Sequence, residues 1–238
     1  MKRFFLALLM MGIGIVVTAG CYQFKSDIDM TRSPESAWHV LCGLTREQFA
    51  EMNETQVRQW LESQYRKEWI QYSSDSAEKR AWFKGTLNNE SIEISLLGDH
   101  IDYIHINSPK INPTFGQVVS SFGNPEMIYH HRYLPIVYEG TAGYTIGLDY
   151  PTFGISVYYS DWCGVQKNCL FNTQKRDGKL AFQIQKNIPV NMVDCYQSDS
   201  SMMEVAESYS DFNLWISKSV FKYRLTWVGF DEWIYFPD

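Results

Sequence analysis

A series of short β-forming runs, separated by two-residue turns, constrains the fold of this chain more than any other feature. Residues 80–87, 90–97 and 100–106 follow one another, with Asn88-Asn89 and Gly98-Asp99 between them. Two-residue connections rich in Asn, Asp and Gly are typical of antiparallel hairpins. The middle run alternates polar and apolar residues, which places one face of that strand against a core. The sequence therefore predicts a meander of hairpins in the first half of the chain.

Further runs of the same kind lie on both sides of this meander. Aromatic residues make up 16% of the chain, and because they are enriched in strands they favour a β-rich class. The predicted strands outside the meander are 68–72, 127–133, 144–150, 154–160, 180–184, 190–195 and 223–236, the last with a break at Gly229.

Helix start signals mark the segments that are not strand-like. Ser, Thr and Asn accept hydrogen bonds from free amides at a helix N-terminus, and Gln three residues later completes a capping box. The predicted start signals are Ser33 before Pro34, Thr45 with Gln48, Asn53 before an amphipathic turn, Thr114 with Gln117, and Ser200-Ser201 before a helix over 202–209. Gly123 and Pro125 predict the end of the helix that Thr114 begins.

These patterns together predict an α+β fold, with one or more antiparallel β-sheets and short helices packed on one face. We expect one globular domain over 33–238. Thr45 and Thr114 both begin a T-x-x-Q-apolar pattern, and each is followed by strands. This recurrence raises the hypothesis of two tandem helix-plus-sheet units, 33–111 and 112–238.

Residues 112–125 read N-P-T-F-G-Q-V-V-S-S-F-G-N-P. The pattern T-x-G-x-V-apolar-x-x-F-G-x-P, followed by strands, resembles a segment that recurs in uncharacterised bacterial lipoproteins. It is also similar, more loosely, to the small lipoprotein subunit of the outer-membrane β-barrel assembly machine. That resemblance covers about residues 112–160 and implies a fold like the β-lactamase inhibitor protein, with two helices against an antiparallel sheet.

The N-terminus has the three parts of a secretory signal. Residues 1–3 are Met-Lys-Arg, residues 4–17 are apolar or glycine, and small residues lead to Cys21. Residues 1–20 are therefore predicted to be a signal peptide. The small residues before Cys21 resemble the lipobox of bacterial lipoproteins, which implies lipid attachment at Cys21. Thr18 departs from that motif, where an aliphatic residue is usual.

Two alternatives to lipid attachment remain open at the N-terminus. Ordinary signal cleavage would leave Cys21 as a disulfide cysteine, and an uncleaved segment would serve as a membrane anchor. In the lipoprotein interpretation residues 21–32 form a tether. The domain would then sit at the cell membrane or outer envelope and face the extracytoplasmic side.

Four cysteines remain once Cys21 is set aside, an even number suited to disulfides in an oxidising compartment. Cys163 and Cys169 are close enough in sequence to close a small ring, which would leave Cys42 with Cys195. Four cysteines allow three connectivities, and the sequence does not choose among them. No C-x-x-C pair or histidine at ligand spacing accompanies them, so no metal site is predicted.

The charge balance disfavours nucleic acid as a partner. The net charge is −6, and removal of Lys2 and Arg3 with the signal would make it −8. An acidic chain without a basic cluster repels phosphate backbones.

Residues for catalysis are not grouped in any recognised motif. The chain has no G-x-S-x-G, P-loop, G-x-G-x-x-G or H-E-x-x-H. His100 and His105 point to opposite faces of a predicted strand, and adjacent His130 and His131 also diverge. The acids in Asp149-Tyr150 and Asp161-Trp162 are the carboxylates that a glycosidase would use. No cofactor is predicted.

The sequence therefore predicts a membrane-tethered, non-catalytic envelope lipoprotein that binds another protein through a sheet face or edge. One alternative is a solute- or carbohydrate-binding lipoprotein with exposed aromatics such as Trp162, Trp227 and Trp233. The other is a hydrolase without a recognisable motif.

Overall fold

The computed structural model describes residues 30–77, 79–87, 90–133, 141–164, 174–197 and 224–236. The predicted signal peptide, Cys21, most of the predicted tether, Cys169 and the predicted helix 202–209 lie outside these residues. Within the described part of the chain, no helix has the length and apolar character that a membrane span requires. Met30 falls in the range predicted as tether but is buried in the core.

The helices begin where the sequence places their caps. Ser33, Thr45, Asn53 and Thr114 each accept a hydrogen bond from the helix they precede, and the last three form capping boxes. The α-helices are α1 (Pro34–Cys42), α2 (Arg46–Glu51), α3 (Glu54–Gln64) and α4 (Phe115–Phe122), and short 3₁₀ turns cover Lys67–Trp69 and Pro151–Phe153. Gly123 follows α4 with φ 84°, which confirms it as the end of that helix.

Twelve strands form in the described residues, and the predicted meander appears with its boundaries nearly unchanged. The strands are β1 (Ile70–Asp75), β2 (Arg80–Leu87), β3 (Glu90–Leu97), β4 (His100–Asn107), β5 (Met127–Tyr133), β6 (Thr141–Tyr150), β7 (Ile155–Gly164), β8 (Gln174–Arg176), β9 (Lys179–Phe182), β10 (Met192–Tyr196), β11 (Arg224–Leu225) and β12 (Ile234–Tyr235).

A large antiparallel sheet dominates the architecture, which confirms the predicted α+β class. Its order is β1-β2-β3-β4-β10-β7-β6-β5-β11, and β12-β9-β8 form a small second sheet. Strand β10 lies at the centre and pairs with both β4 and β7. Residues on either side of position 112 therefore contribute to the same sheet.

The hydrophobic core lies between the helices and one face of the large sheet. Trp38 and Leu41 of α1 and Val57 and Leu61 of α3 are buried in one cluster with the inward residues of the strands. The indole N–H of Trp38 donates to the carbonyl of Phe153 at 2.9 Å. This bond satisfies the polar atom of a side chain that is 1% exposed.

A disulfide joins the helical layer to the centre of the sheet. Cys42, at the end of α1, is bonded to Cys195 of β10 across a sequence separation of 153 residues. This is one of the pairings that the sequence left open. The backbone of Cys163 lies in β7.

Several strand predictions differ in extent from the structure. The run 68–72 corresponds to β1 at 70–75, and the runs 144–150 and 154–160 correspond to the longer strands β6 and β7. The segment 223–236 is broken at Gly229 (φ 121°) as predicted, but strand structure covers only β11 and β12 within it. The run 180–184 ends at Phe182 and the run 190–195 begins at Met192. Strand β8 was not predicted because its residues Gln-Lys-Arg are polar and exposed.

Candidate functional site

The sheet face turned away from the helices carries a row of polar side chains that crosses six neighbouring strands. Each member lies directly opposite the next in the strand pairing. We call this set the polar row: Lys84, Glu93, His105, Asp194, Ser156 and Asp149, on β2, β3, β4, β10, β7 and β6. Most members are flanked along their own strand by buried core residues, so strand alternation places the row on the outer face.

Asp149 accepts hydrogen bonds from three hydroxyl groups. Tyr196 donates to Oδ1 at 2.5 Å, Tyr129 donates to Oδ2 at 2.8 Å, and Ser156 also donates to Oδ1. The side chain has no solvent exposure. Burial raises the pKa of Asp149 above its ordinary value, even though the three donors act to lower it.

Burial keeps Tyr196 and Tyr158 in their protonated form. Burial raises the pKa of Tyr196, and the neighbouring Asp149 raises it further. Burial also raises the pKa of Tyr158 well above its ordinary value, with Asp194 and Asp149 adding to the shift. Protonated phenols are hydrogen-bond donors, as the contacts to Asp149 require.

Tyr158 also fills the space above a glycine of the neighbouring strand. A Cβ added to Gly147 would come within 2.5 Å of the Tyr158 ring, and Tyr129 lies on the other side at 3.5 Å. The absence of a side chain at Gly147 therefore leaves the space that the Tyr158 ring occupies.

His105 and Asp194 form the second polar pair of the row. His105 Nδ1 lies 2.5 Å from Asp194 Oδ1, with side chains that are 32% and 11% exposed. Burial alone would lower the pKa of His105, but the charge and hydrogen bond of Asp194, together with Glu93, raise it above its ordinary value. Glu93 in turn accepts a hydrogen bond from Tyr103 at 2.7 Å.

The serine and the histidine of the row engage different carboxylates. Ser156 donates to the Asp149 carboxylate, whereas His105 is bonded to the other carboxylate, Asp194. These contacts therefore do not form a serine–histidine pair, and Ser156 is itself fully buried. Asp149 is sealed from solvent, so it cannot reach a substrate from the outer face.

The other predicted site residues do not converge on this row. Tyr150, next to Asp149, donates to the Gly123 carbonyl at 3.2 Å on the core side. Asp161 and Trp162 lie in β7, and their side chains are outside the described part of the structure. His130 is buried on the core side, where the ring of Phe182 lies 4.8 Å away. Among the described residues, no three His, Cys, Asp or Glu side chains are grouped as metal ligands.

The aromatic residues proposed as stacking platforms are engaged with protein neighbours. Trp227 is partly buried against the core and packs edge-on to Phe230 at 4.9 Å. Trp233 lies under the guanidinium of Arg176 at 4.2 Å. Trp227 is therefore packed against this chain, and Arg176 covers one face of Trp233.

An open cleft of about 560 Å³ lies beside the start of α4. Gly116 there approaches the Lys186 carbonyl so closely that an added Cβ would lie 3.0 Å from it. Thr114 and Gln117 also line the cleft, but their side chains bond each other's backbone amides in the capping box. These two polar side chains of the cleft are therefore already engaged in capping the helix.

Strand β1 lies at one edge of the large sheet and is largely exposed. Residues 71–75 are exposed, and β1 pairs with β2 over all six of its residues. Tyr72 is 44% exposed, and Trp69, just before the strand, is 37% exposed. The Arg58 guanidinium lies 5.0 Å from the Tyr72 ring, which holds the ring over the core-facing side of the edge.

Comparison with known proteins found no matching family model, no similar curated protein and no similar solved structure. The resemblance of residues 112–160 to bacterial lipoproteins therefore stays an expectation from the sequence.

Sequence reasoning missed the polar row as a unit. The alternation of polar and apolar residues in 90–97 was recognised, and Asp149 was named as a candidate glycosidase carboxylate. What could not be read is the pairing of β10 between β4 and β7, which brings Asp194 between His105 and Ser156.

Proposed function

We propose that this protein is a membrane-tethered, non-catalytic envelope lipoprotein whose folded domain binds another protein. In this proposal Cys21 becomes the acylated N-terminus and the domain faces the extracytoplasmic side. The export features of residues 1–21 and the lipobox resemblance support the tether.

The observation that carries the binding role is the contrast between the polar row and the edge strand. The buried Asp149 of the row is closed to solvent and accepts hydrogen bonds from Tyr196, Tyr129 and Ser156. Strand β1, in contrast, is exposed over residues 71–75 and carries the exposed Tyr72, with the exposed Trp69 just before it. An open sheet edge is a common means of binding another polypeptide, because an added strand gains main-chain hydrogen bonds.

The disulfide supports the export part of the proposal. Disulfides form and persist in extracytoplasmic compartments and are rare in the reducing cytosol. The Cys42–Cys195 bond lies in the core, with both cysteines fully buried, so it is a structural bond between layers.

The proposal is tested by intact mass and membrane fractionation of the native protein beside Cys21→Ser. We expect a mature chain that begins at Cys21 with a diacyl or triacyl mass and fractionates with membranes. The Cys21→Ser variant should lack that mass and be released from the membrane. An unmodified mature chain, or membrane association unchanged in Cys21→Ser, would overturn the lipid tether.

A further inference from the structure

We propose that the loop at residues 226–230 is a second contact between the tethered domain and the membrane, with Val228 inserted among the lipids. This inference rests on the proposed lipid attachment at Cys21 and names the bilayer surface as the partner of the loop. Its basis is the place where the chain enters the folded domain, the contacts that join that place to the loop, and the side chains of the loop.

The described chain enters its core soon after the predicted lipid attachment site. Met30 is 6% exposed and belongs to the main hydrophobic cluster. Its carbonyl accepts a hydrogen bond from the Ser121 hydroxyl of α4 at 3.4 Å. Eight residues, 22–29, lie between Cys21 and Met30. An acylated Cys21 therefore keeps the surface around Met30 within roughly 30 Å of the bilayer, the full extension of such a segment.

The segment around Lys186 connects the surface at Met30 with the 226–230 loop. Met30 and Lys186 line the same cleft beside α4. On the other side of this segment, the Lys186 ammonium lies 5.8 Å from the centre of the Phe230 ring. The backbone N–H of Asp231 donates to the carbonyl of Ile184 at 2.9 Å, which fixes the end of the loop to the same segment. The loop therefore lies on the side of the domain where the tether ends.

The 226–230 loop combines one exposed aliphatic side chain with two anchored aromatic rings. Its sequence is Thr-Trp-Val-Gly-Phe, without a charged residue. Trp227 and Phe230 are partly buried against the core, and their rings meet edge-on at 4.9 Å. Val228 is 51% exposed, and Gly229 turns the chain directly after it with φ 121°. A tryptophan beside an exposed aliphatic residue is typical of contacts at the membrane interface.

The charges beside the loop favour an apolar contact over an electrostatic one. Lys186 is exposed next to Phe230, but Asp231 and Glu232 are exposed directly after the loop. Attraction to anionic lipid requires a basic cluster, which these mixed charges do not form. We therefore expect the contact to form on zwitterionic lipid and to persist at high salt, since salt screens exposed charges and not apolar burial.

The test uses the acylated full chain in phosphatidylcholine vesicles, after its intact mass has been measured. A fluorescent amino acid replaces Thr226 in one sample and Asp99 in another, both exposed positions. Brominated phosphatidylcholine quenches a fluorophore that reaches the acyl chains. Asp99 is the control because it lies in the turn between β3 and β4, whereas the opposite end of β4, at Asn107, pairs with the start of β10 at Met192.

Two variants with the same chemical change give the matched comparison. Val228→Glu and Leu97→Glu each place a carboxylate at an aliphatic position, 51% and 47% exposed, so both should keep the urea midpoint of the native chain. Val228→Glu should lower the quenching at position 226 about threefold or more, because a carboxylate does not enter the acyl region. Leu97→Glu, beside the β3–β4 turn, should leave that quenching unchanged.

The expected result is quenching at position 226 and not at position 99, equal with and without phosphatidylglycerol and at low and high salt. No quenching at position 226, equal quenching at position 99, or quenching that requires phosphatidylglycerol would overturn the inference. An acyl mass without quenching at position 226 defeats this inference alone. A chain without an acyl mass defeats the proposed tether and this inference with it.

Discussion

Replacing Tyr196 with phenylalanine removes one of three hydroxyl donors to the buried Asp149 carboxylate and leaves the ring in place. A hydrogen bond to a charged group contributes about 1.5–3 kcal/mol, against about 0.5–1.5 kcal/mol for a neutral pair. At about pH 8.5, where Asp149 is more fully ionised, we expect Tyr196→Phe to lower the free energy of unfolding by about 1.5–3 kcal/mol.

A double-mutant cycle with Asp149→Asn tests whether the stability lost in Tyr196→Phe comes from the hydrogen bond to the Asp149 carboxylate. In the Asp149→Asn background the bond is between neutral groups, so the cost of Tyr196→Phe should fall to about 1 kcal/mol or less. The cost should also fall in acid, because the pKa of Asp149 is raised and its charge is lost as the pH drops through that value.

Urea unfolding followed by tryptophan fluorescence measures these differences, since the chain has 8 tryptophans. Tyr72→Phe is the matched control, because Tyr72 is 44% exposed and its substitution should cost less than about 0.5 kcal/mol. Equal costs of Tyr196→Phe in the native chain and in the Asp149→Asn background would refute the claim that the carboxylate is the partner that matters.

Three further predictions concern the disulfide, the His105–Asp194 pair and Gly147. Reduction of Cys42–Cys195 should lower the free energy of unfolding by about 2–5 kcal/mol, because the bond closes a long loop; an unchanged urea midpoint with reductant would contradict this. His105→Gln should destabilise the protein more at about pH 5.5 than at about pH 8.5. The pKa of His105 is higher in the folded protein than in the unfolded chain, so its protonation stabilises the fold at pH values below the unfolded-state pKa. That stabilisation is lost as the pH rises through the folded-state pKa. Equal urea midpoint shifts at both pH values would exclude that linkage. Gly147→Ala should cost about 1–3 kcal/mol in urea unfolding, because the new methyl group meets a buried tyrosine ring at 2.5 Å; a neutral substitution would show that the ring moves freely.

The sequence was most informative where structure depends on local chemistry. The caps at Ser33, Thr45 and Thr114 form as predicted, because each depends on a side chain and an amide within three residues. The hairpins from β2 to β4 were also predicted, since their two-residue turns fix the partner of each strand.

Long-range pairing accounts for the features that could not be predicted. Strand β10 enters the sheet between β4 and β7, and no pattern near residues 192–196 specifies those neighbours. The polar row depends on that placement, because Asp194 is the link between the His105 side and the Asp149 side. The pairing of Cys42 with Cys195 likewise requires α1 to lie against β10.

The exposed edge was also beyond sequence reasoning. The run 68–72 was predicted as a strand, but its position at the end of the sheet depends on which strand pairs with which. A strand with the same residues in the centre of a sheet would present no free backbone.

The measurement that most directly tests the account is site-specific photo-crosslinking in intact cells with a photoreactive residue in place of Gln71. Lys175 in β8 serves as the control position, since it is also exposed but lies outside the large sheet. The account predicts a discrete protein adduct at position 71, none at position 175, and loss of the adduct when Cys21→Ser is combined with it. The same adducts at both positions, or none at position 71, would contradict a tethered domain that binds its partner through β1.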